Sequence, residues 1–282
     1  MPADRKKYLD QLYSDLDQKF LHTDPLYLVK QFNHPHDQEI AAVVMSALAF
    51  GQVQQINKAG EKAFKLMNFS PREFVESMDP EKELKKWKMF YYRMVRSSDM
   101  LRLLNALHGI LKKHHTIGDW VFSHYKNEDE NLGVTWSKCV NEIKKTDAIN
   151  WKWRRTRGVG FNHLVSDPSK KSACKRANLL LRWMVRKDAV DLGLWNQLPK
   201  EKLVMPVDTH IARISFNIGL SERTDLSWKN ANEITSQLRQ LDPTDPVKYD
   251  FALCRLGILK MCPKKRDKKK CVDCPIFDIC RL

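Results

Sequence analysis

The stretch SACKRANLLLRWMVRKD, residues 172–188, puts Ala177, Leu180, Leu181 and Met184 on one side of a helix. Lys175, Arg182 and Arg186 fall on another side, so the spacing predicts a helix with an oily face and a cationic face. The same 3.6-residue period runs outward in both directions. Upstream, QEIAAVVMSALAFG, 38–51, is apolar almost all round and reads as a helix buried in a bundle. SDMLRLLNALHGILKK, 98–113, repeats Leu behind Ser98 and Asp99 as caps, and a further helix is expected from about Trp120. Tyr8, Leu9, Leu12, Tyr13, Leu16 and Phe20 form an apolar stripe over 5–20. Downstream, DTHIARISFNIGL, 208–220, has Asp208 placed to cap and Gly219 to terminate. SWKNANEITSQLRQL and DPVKYDFALCRLGILK follow, each with an N-terminal signal. No stretch alternates as a strand would, so the expected class is all-α. The segment 152–171, KWRRTRGVGFNHLVSDPSKK, is basic and broken by Gly and Pro, and reads as a loop or hairpin feeding the cationic helix.

The chain has 282 residues, enough for one large domain or two smaller ones. Its 49 Lys and Arg against 34 Asp and Glu leave a formal charge of +15, which suits a polyanion such as nucleic acid, an anionic membrane surface, or no partner at all. No run reaches the roughly 20 apolar residues a spanning helix needs, and the polar start MPADRKKYLDQLYSDLD is not a signal peptide. A cytoplasmic, nucleoid-associated monomer is expected. Seven cysteines, with Cys139 and Cys174 far from the rest, do not suit a secreted disulfide framework.

Four of those cysteines close the chain in CPKKRDKKKCVDCPIFDIC, 262–280. Cys262, Cys271, Cys274 and Cys280 give one close pair and two single arms. Zinc sites usually show two close pairs, whereas a 4Fe-4S cluster takes one thiolate at each separate iron corner. The iron–sulfur cluster is the expectation, with zinc the alternative. Cys254, inside an apolar pattern, reads as a buried structural thiol. Between the first two ligands, Lys264, Lys265, Arg266 and Lys268 would be held as a cationic loop suited to phosphates, or would be a solvated charge run.

KLVMPVDTHIARIS, 202–215, KRANLLL, 175–181, and the cysteine tail together resemble the helix-hairpin-helix DNA glycosylase superfamily, of which endonuclease III is the best-known type. The resemblance spans about residues 38–282 and extends to VVMSALAFGQVQQINKA, 43–59. It implies a DNA repair enzyme acting on double-stranded DNA with a damaged base, with base-excision and AP lyase activity. It implies Lys175 as nucleophile, Asp208 as its carboxylate partner, and Phe50 or Gln52 as the residue that wedges the base stack. Two helical lobes would flank the cleft: a middle bundle, 38–187, ending in the hairpin-like element and the Lys175 helix, and a second lobe of 1–37 with 188–282 bearing the four-cysteine loop. The match departs from the family where its hairpin glycines fall on Lys171 and Ala173. The longer interval between Lys175 and Asp208, filled by RKDAVDLGLWNQLPKEKL, 186–203, is similar to that of archaeal 8-oxoguanine glycosylases and an uncharacterised bacterial branch. That points to 8-oxoguanine, with oxidised pyrimidines close behind.

The chemistry stands beside the resemblance. A lysine attacks a sugar C1′ only as the neutral amine, so its pKa must fall below the ordinary value of about 10.4. The cations around it, Lys171, Arg176, Arg182 and Arg186, are expected to push it down, and Lys170, Lys171, Arg176 and Arg182 to contact DNA. Asp208 would accept the lysine proton and stabilise a positive sugar, or serve only as a helix cap. His210 and Cys174 read as packed, and Trp183 and Trp195 as core or as the lining of a base pocket. Two other readings remain: a catalytically silent iron–sulfur nucleic-acid binding protein, and a monofunctional glycosylase that uses Asp208 with water.

Overall fold

The computed structural model describes residues 2–16, 18–150 and 159–281. Helices dominate it, as the periodicity requires. The chain opens with α1 (Pro2–Asp15), whose Leu9 and Leu12 are fully buried, and which ends earlier than the stripe to Phe20 suggested, in a 3-10 turn from Gln18 to Thr23. A single turn, α2 (Leu26–Val29), leads to α3 (Pro35–Leu48). In α3 every residue from Glu39 to Leu48 is buried, in line with its all-round apolar sequence. Next come α4 (Val53–Leu66), α5 (Pro71–Ser77) and α6 (Pro80–Lys86), the last capped by the Asp79 carboxylate. A two-residue ladder of β1 (Tyr91–Tyr92) and β2 (Val95–Arg96) follows, too short for a period-2 pattern to show in the sequence.

Then α7 (Ser97–Leu111) crosses the bundle. Ser98 is not its cap: the helix starts two residues earlier, and Asp99 accepts the backbone N–H of Arg96 at 3.0 Å. The helix expected from Trp120 begins earlier as α8 (Ile117–Ser123), capped by Thr116, and is followed by α9 (Leu132–Asn150). The stretch expected as loop or hairpin holds α10 (Val159–Leu164) and a 3-10 turn at Pro168–Lys170, while its residues 152–158 lie outside the described residues. It leads into α11 (Lys175–Val185), the helix with which the sequence reading began.

After the long connection come α12 (Thr209–Asn217), α13 (Trp228–Leu241), α14 (Asp250–Ile258) and the short α15 (Lys268–Val272). Gly219 takes φ +70° and stops α12, and Ser227 caps α13, both as their residue types foretold. Helix α3 packs against α11 and α4, and α7 packs against α9 and α10. Helix α1 packs against α13 and α14, and α14 against α12. Trp183 and Trp195 belong to the core.

The long connection after α11 changes the character of that helix. Arg182 and Arg186 do not form a free cationic face. Arg182 is 2% exposed and paired with Asp191 and Asp250, and Arg186 is paired with Asp188, Asp191 and Asp245. Buried guanidinium groups survive only with such partners, and two of the carboxylates, Asp188 and Asp191, come from the connection itself. Neither arginine is available to DNA, which corrects the assignment of Arg182 to a DNA contact.

Candidate functional site

Helix α11 and the N-cap of α12 meet at a cleft of about 870 Å³. Lys175 is the first residue of α11 and Asp208 caps α12, and Nζ of Lys175 lies 3.0 Å from Oδ2 of Asp208. The lysine side chain is 32% exposed and the carboxylate 19%, so the pair opens into the cleft. The other oxygen of Asp208 accepts the N–H groups of His210 at 2.9 Å and Ile211 at 3.0 Å. One carboxylate therefore caps a helix and binds an amine at once.

The electrostatics run against the expectation of a depressed lysine. Desolvation favours the neutral amine, but the charge of Asp208 offsets it, with smaller contributions from Cys254 and Asp250, and the Lys175 pKa is raised above its ordinary value. The cations expected to lower it are elsewhere or neutralised: Arg182 and Arg186 sit in ion pairs. For Asp208, burial works against ionisation, and the Lys175 charge and the Ile211 N–H prevail, so its pKa is lowered. The pair rests as ammonium and carboxylate. Deeper in the same cleft, Asp250 accepts a hydrogen bond from Arg182 Nη1, and burial pushes its carboxyl up to about 6.

Several cleft residues carry no sequence signal. Asp24 pairs with Arg255 at 3.1 Å, and Gln54 and Asn57 come from the start of α4. Cys254, expected as a buried structural thiol, is only partly buried and faces the cleft beside the pair, where burial raises its pKa to about 11. The His210 ring packs against Gly257 with Nδ1 buried and unpartnered, and Cys174 is buried, so both are packed as read.

The two wedge candidates separate. Gln52 is exposed at the cleft mouth as the N-cap of α4. Phe50 is held edge-on by the His163 ring at 4.5 Å, with Arg176 stacked 5.2 Å over its face. Arg176 also donates to the Ala47 carbonyl at 3.3 Å, and burial lowers its pKa to about 10, so it is a packing residue more than a free phosphate ligand. Lys170 and Lys171 are exposed at the turn before α11. Lys171 takes φ +63° and Cys174 φ +45°, so both ends of the turn are left-handed although neither residue is glycine.

Beside Gln52 the sequence reading missed a basic surface. The segment WKMFYYRMVRSS, 87–98, contains no acidic residue, and Lys88, Met89, Tyr91, Arg93, Met94 and Arg96 are all exposed. Tyr92 ties the ladder to the cleft by donating its hydroxyl to the Phe50 carbonyl. Gly51, at φ +105°, sits in a backbone conformation that residues with a side chain rarely adopt, close to the ends of the Arg93 and Tyr92 side chains. The interleaving of cations with Tyr and Met is the signal that could have found it.

In the tail, Cys262, Cys271, Cys274 and Cys280 line one small cavity with Ile214 and Phe277. Among the described residues, no three His, Cys, Asp or Glu side chains are gathered as a single ion requires. None of the four cysteines is in a disulfide. Burial raises the pKa of Cys262 against the lowering charge of Arg213, and burial with the neighbouring thiols raises that of Cys274. The four thiols line one cavity, and thiolates are the ligands that an iron–sulfur cluster or a zinc ion takes. Lys264, Lys265 and Arg266 are exposed on the loop they would staple, and the Lys268 side chain lies outside the described residues.

A family model described as "Protein of unknown function (DUF2400)" matches residues 24–259, most of the chain. No curated protein and no solved structure matches it. Among the described residues, no helix is long and apolar enough to cross a membrane.

Proposed function

We propose that this chain, which belongs to the DUF2400 family, is a DNA repair glycosylase with AP lyase activity. Its substrate is double-stranded DNA carrying an oxidised base, 8-oxoguanine or an oxidised pyrimidine. The observation that carries the reading is the Lys175–Asp208 pair, 3.0 Å apart and open to a cleft large enough for an extruded nucleotide. Lys175 attacks C1′ of the sugar, the glycosidic bond breaks, and the base leaves with the bonding electrons and a proton. The C1′–O4′ bond then opens, O4′ takes a proton from the new C1′ ammonium, and the protonated imine that results permits β-elimination at the strand. Asp208 receives the lysine proton beforehand, passes it to the departing base, and as a carboxylate again balances the positive charge left on the sugar and the attacking nitrogen. The resting ion pair means that each turnover begins with this proton transfer.

Two helical lobes flank the cleft in this reading, and the exposed cations of 88–96 and of the tail line its approaches. Cys262, Cys271, Cys274 and Cys280 hold a 4Fe-4S cluster, with zinc the alternative. When bound, the group supplies the cation that keeps four thiolates together and so fixes the cationic loop. The protein works as a monomer on nucleoid DNA in the cytoplasm.

The raised lysine pKa favours a second reading, a monofunctional glycosylase in which Asp208 activates water and Lys175 only orients it. Borohydride trapping on duplex DNA with an abasic site separates the two. Wild type is expected to be trapped and Lys175→Gln not. Equal trapping in the variant removes Lys175 from the mechanism, and base release without trapping selects the monofunctional reading. The same preparation should absorb broadly near about 400 nm if thiolate-bound iron is present, which zinc does not.

A further inference from the structure

The turn 171–174 leading into α11 is laced to another part of the chain. Ala173 N–H donates to the Leu226 carbonyl at 2.9 Å, Trp228 N–H donates to the Lys171 carbonyl at 2.9 Å, and Ser172 and Ser227 form an antiparallel bridge. Those two main-chain groups of the turn are therefore committed within the protein and unavailable to a ligand. Where the two segments join, they enclose an open groove of about 780 Å³ walled by Trp228 and Leu226, distinct from the cleft in every lining residue.

The charges of the groove are unequal in a telling way. Arg223 is answered by Asp225 and Glu233, at 3.5 and 3.4 Å. Lys171 and Lys229 are exposed on its edges and have no carboxylate partner among the described residues, and neither does Lys170 beside them. Leu226 is 46% exposed between them. Unanswered cations around a partly apolar concavity suit a phosphodiester backbone with its sugars, whose phosphates meet the ammonium groups. Position selects nucleic acid further: Lys171 precedes Lys175 by four residues, at most about 14 Å of chain. A strand that delivers a nucleotide to the cleft passes the groove within a few phosphates.

We infer that this groove is a second backbone-binding site, in which Lys171 and Lys229 grip the strand by their side chains. The inference rests on the nucleic-acid reading of the cleft and adds to it where the strand leaves.

Binding of an undamaged duplex, measured by fluorescence anisotropy from about 50 to 200 mM NaCl, tests it without any catalytic step. Each phosphate contact contributes about 0.9 to the slope of log Kd against log salt, so Lys171→Glu with Lys229→Glu is expected to flatten the slope by about 1.8. Lys171→Gln with Lys229→Gln should do nearly the same, and thermal melting establishes that both variants are folded. A wild-type slope in both folded variants overturns the groove while leaving the cleft reading intact. A wild-type protein that binds no duplex at the low-salt end overturns both.

Discussion

Two ion pairs face the same cleft from the same helix, and they differ in how much water reaches them. Lys175–Asp208, at the start of α11, is open, with side chains 32% and 19% exposed. Arg182–Asp250, two turns on, is 2% and 3% exposed. The buried pair is tied to Asp191 as well, so neither guanidinium nor carboxylate can move without stranding a charge. In the open pair the Asp208 carboxylate is held by two backbone N–H groups, while the Lys175 ammonium reaches it from the cleft side with a cavity before it. A fixed pair builds the floor, and a movable pair can exchange its proton with whatever enters.

The sharpest way to break that contrast is to remove one cation from each pair in turn. Arg182→Met strands Asp250 in the interior, leaves Asp191 with Arg186, and should cost about 3–5 kcal/mol, measured by urea unfolding. Lys175→Gln, at the open pair, should cost under about 1 kcal/mol. Equal losses would mean that both pairs are structural.

A smaller effect sharpens the chemistry of the open pair. Asp208 holds the Lys175 pKa up, so the neutral amine is scarce at neutral pH, and the trapping rate of the wild type should rise with pH through the range from about 6 to 9. Asp208→Asn removes that charge, lowers the lysine pKa and should bring the plateau to lower pH, although the overall rate falls. A profile of unchanged shape in Asp208→Asn would show that the carboxylate does not set the ionisation of the amine. For folding, the signs are opposite for the two partners. The depressed Asp208 stabilises above its unfolded pKa and loses this as pH falls through its folded one. The raised Lys175 stabilises at lower pH and loses this as pH rises through its folded pKa.

The least effect is expected where cations face solvent alone. Lys264→Glu with Lys265→Glu should change the unfolding free energy by no more than about 0.5 kcal/mol, since both are exposed and unpaired among the described residues. A larger loss in a melting experiment would show that the tail lysines, like Arg182, belong to the folded interior.

Arg182 and Lys264 look alike in sequence, as cations in cationic runs. Their fates diverge because Asp191 and Asp250 reach Arg182 from a connection and from a distant helix, a meeting that local spacing does not record. Asp208 was legible as a cap because capping is local, and so was the buried face of α3. Cys254 was misplaced for the same reason as Arg182: the apolar period around it holds, but the cleft cuts into that side of α14. The ladder at 91–96 escaped because two-residue strands have no period. Its acid-free, aromatic-rich composition was visible all the same.

By itself, the sequence determined the helical class, the caps of α12 and α13, the four clustered thiols and the excess of positive charge, since each follows from residues a few positions apart. Only the tertiary structure decided which cations are free, that Lys175 is raised and not lowered, and that turn 171–174 gives main-chain bonds to residues 226–228. Charge and hydrogen bonding depend on distance through space, and the partners that set these three outcomes lie far away along the chain.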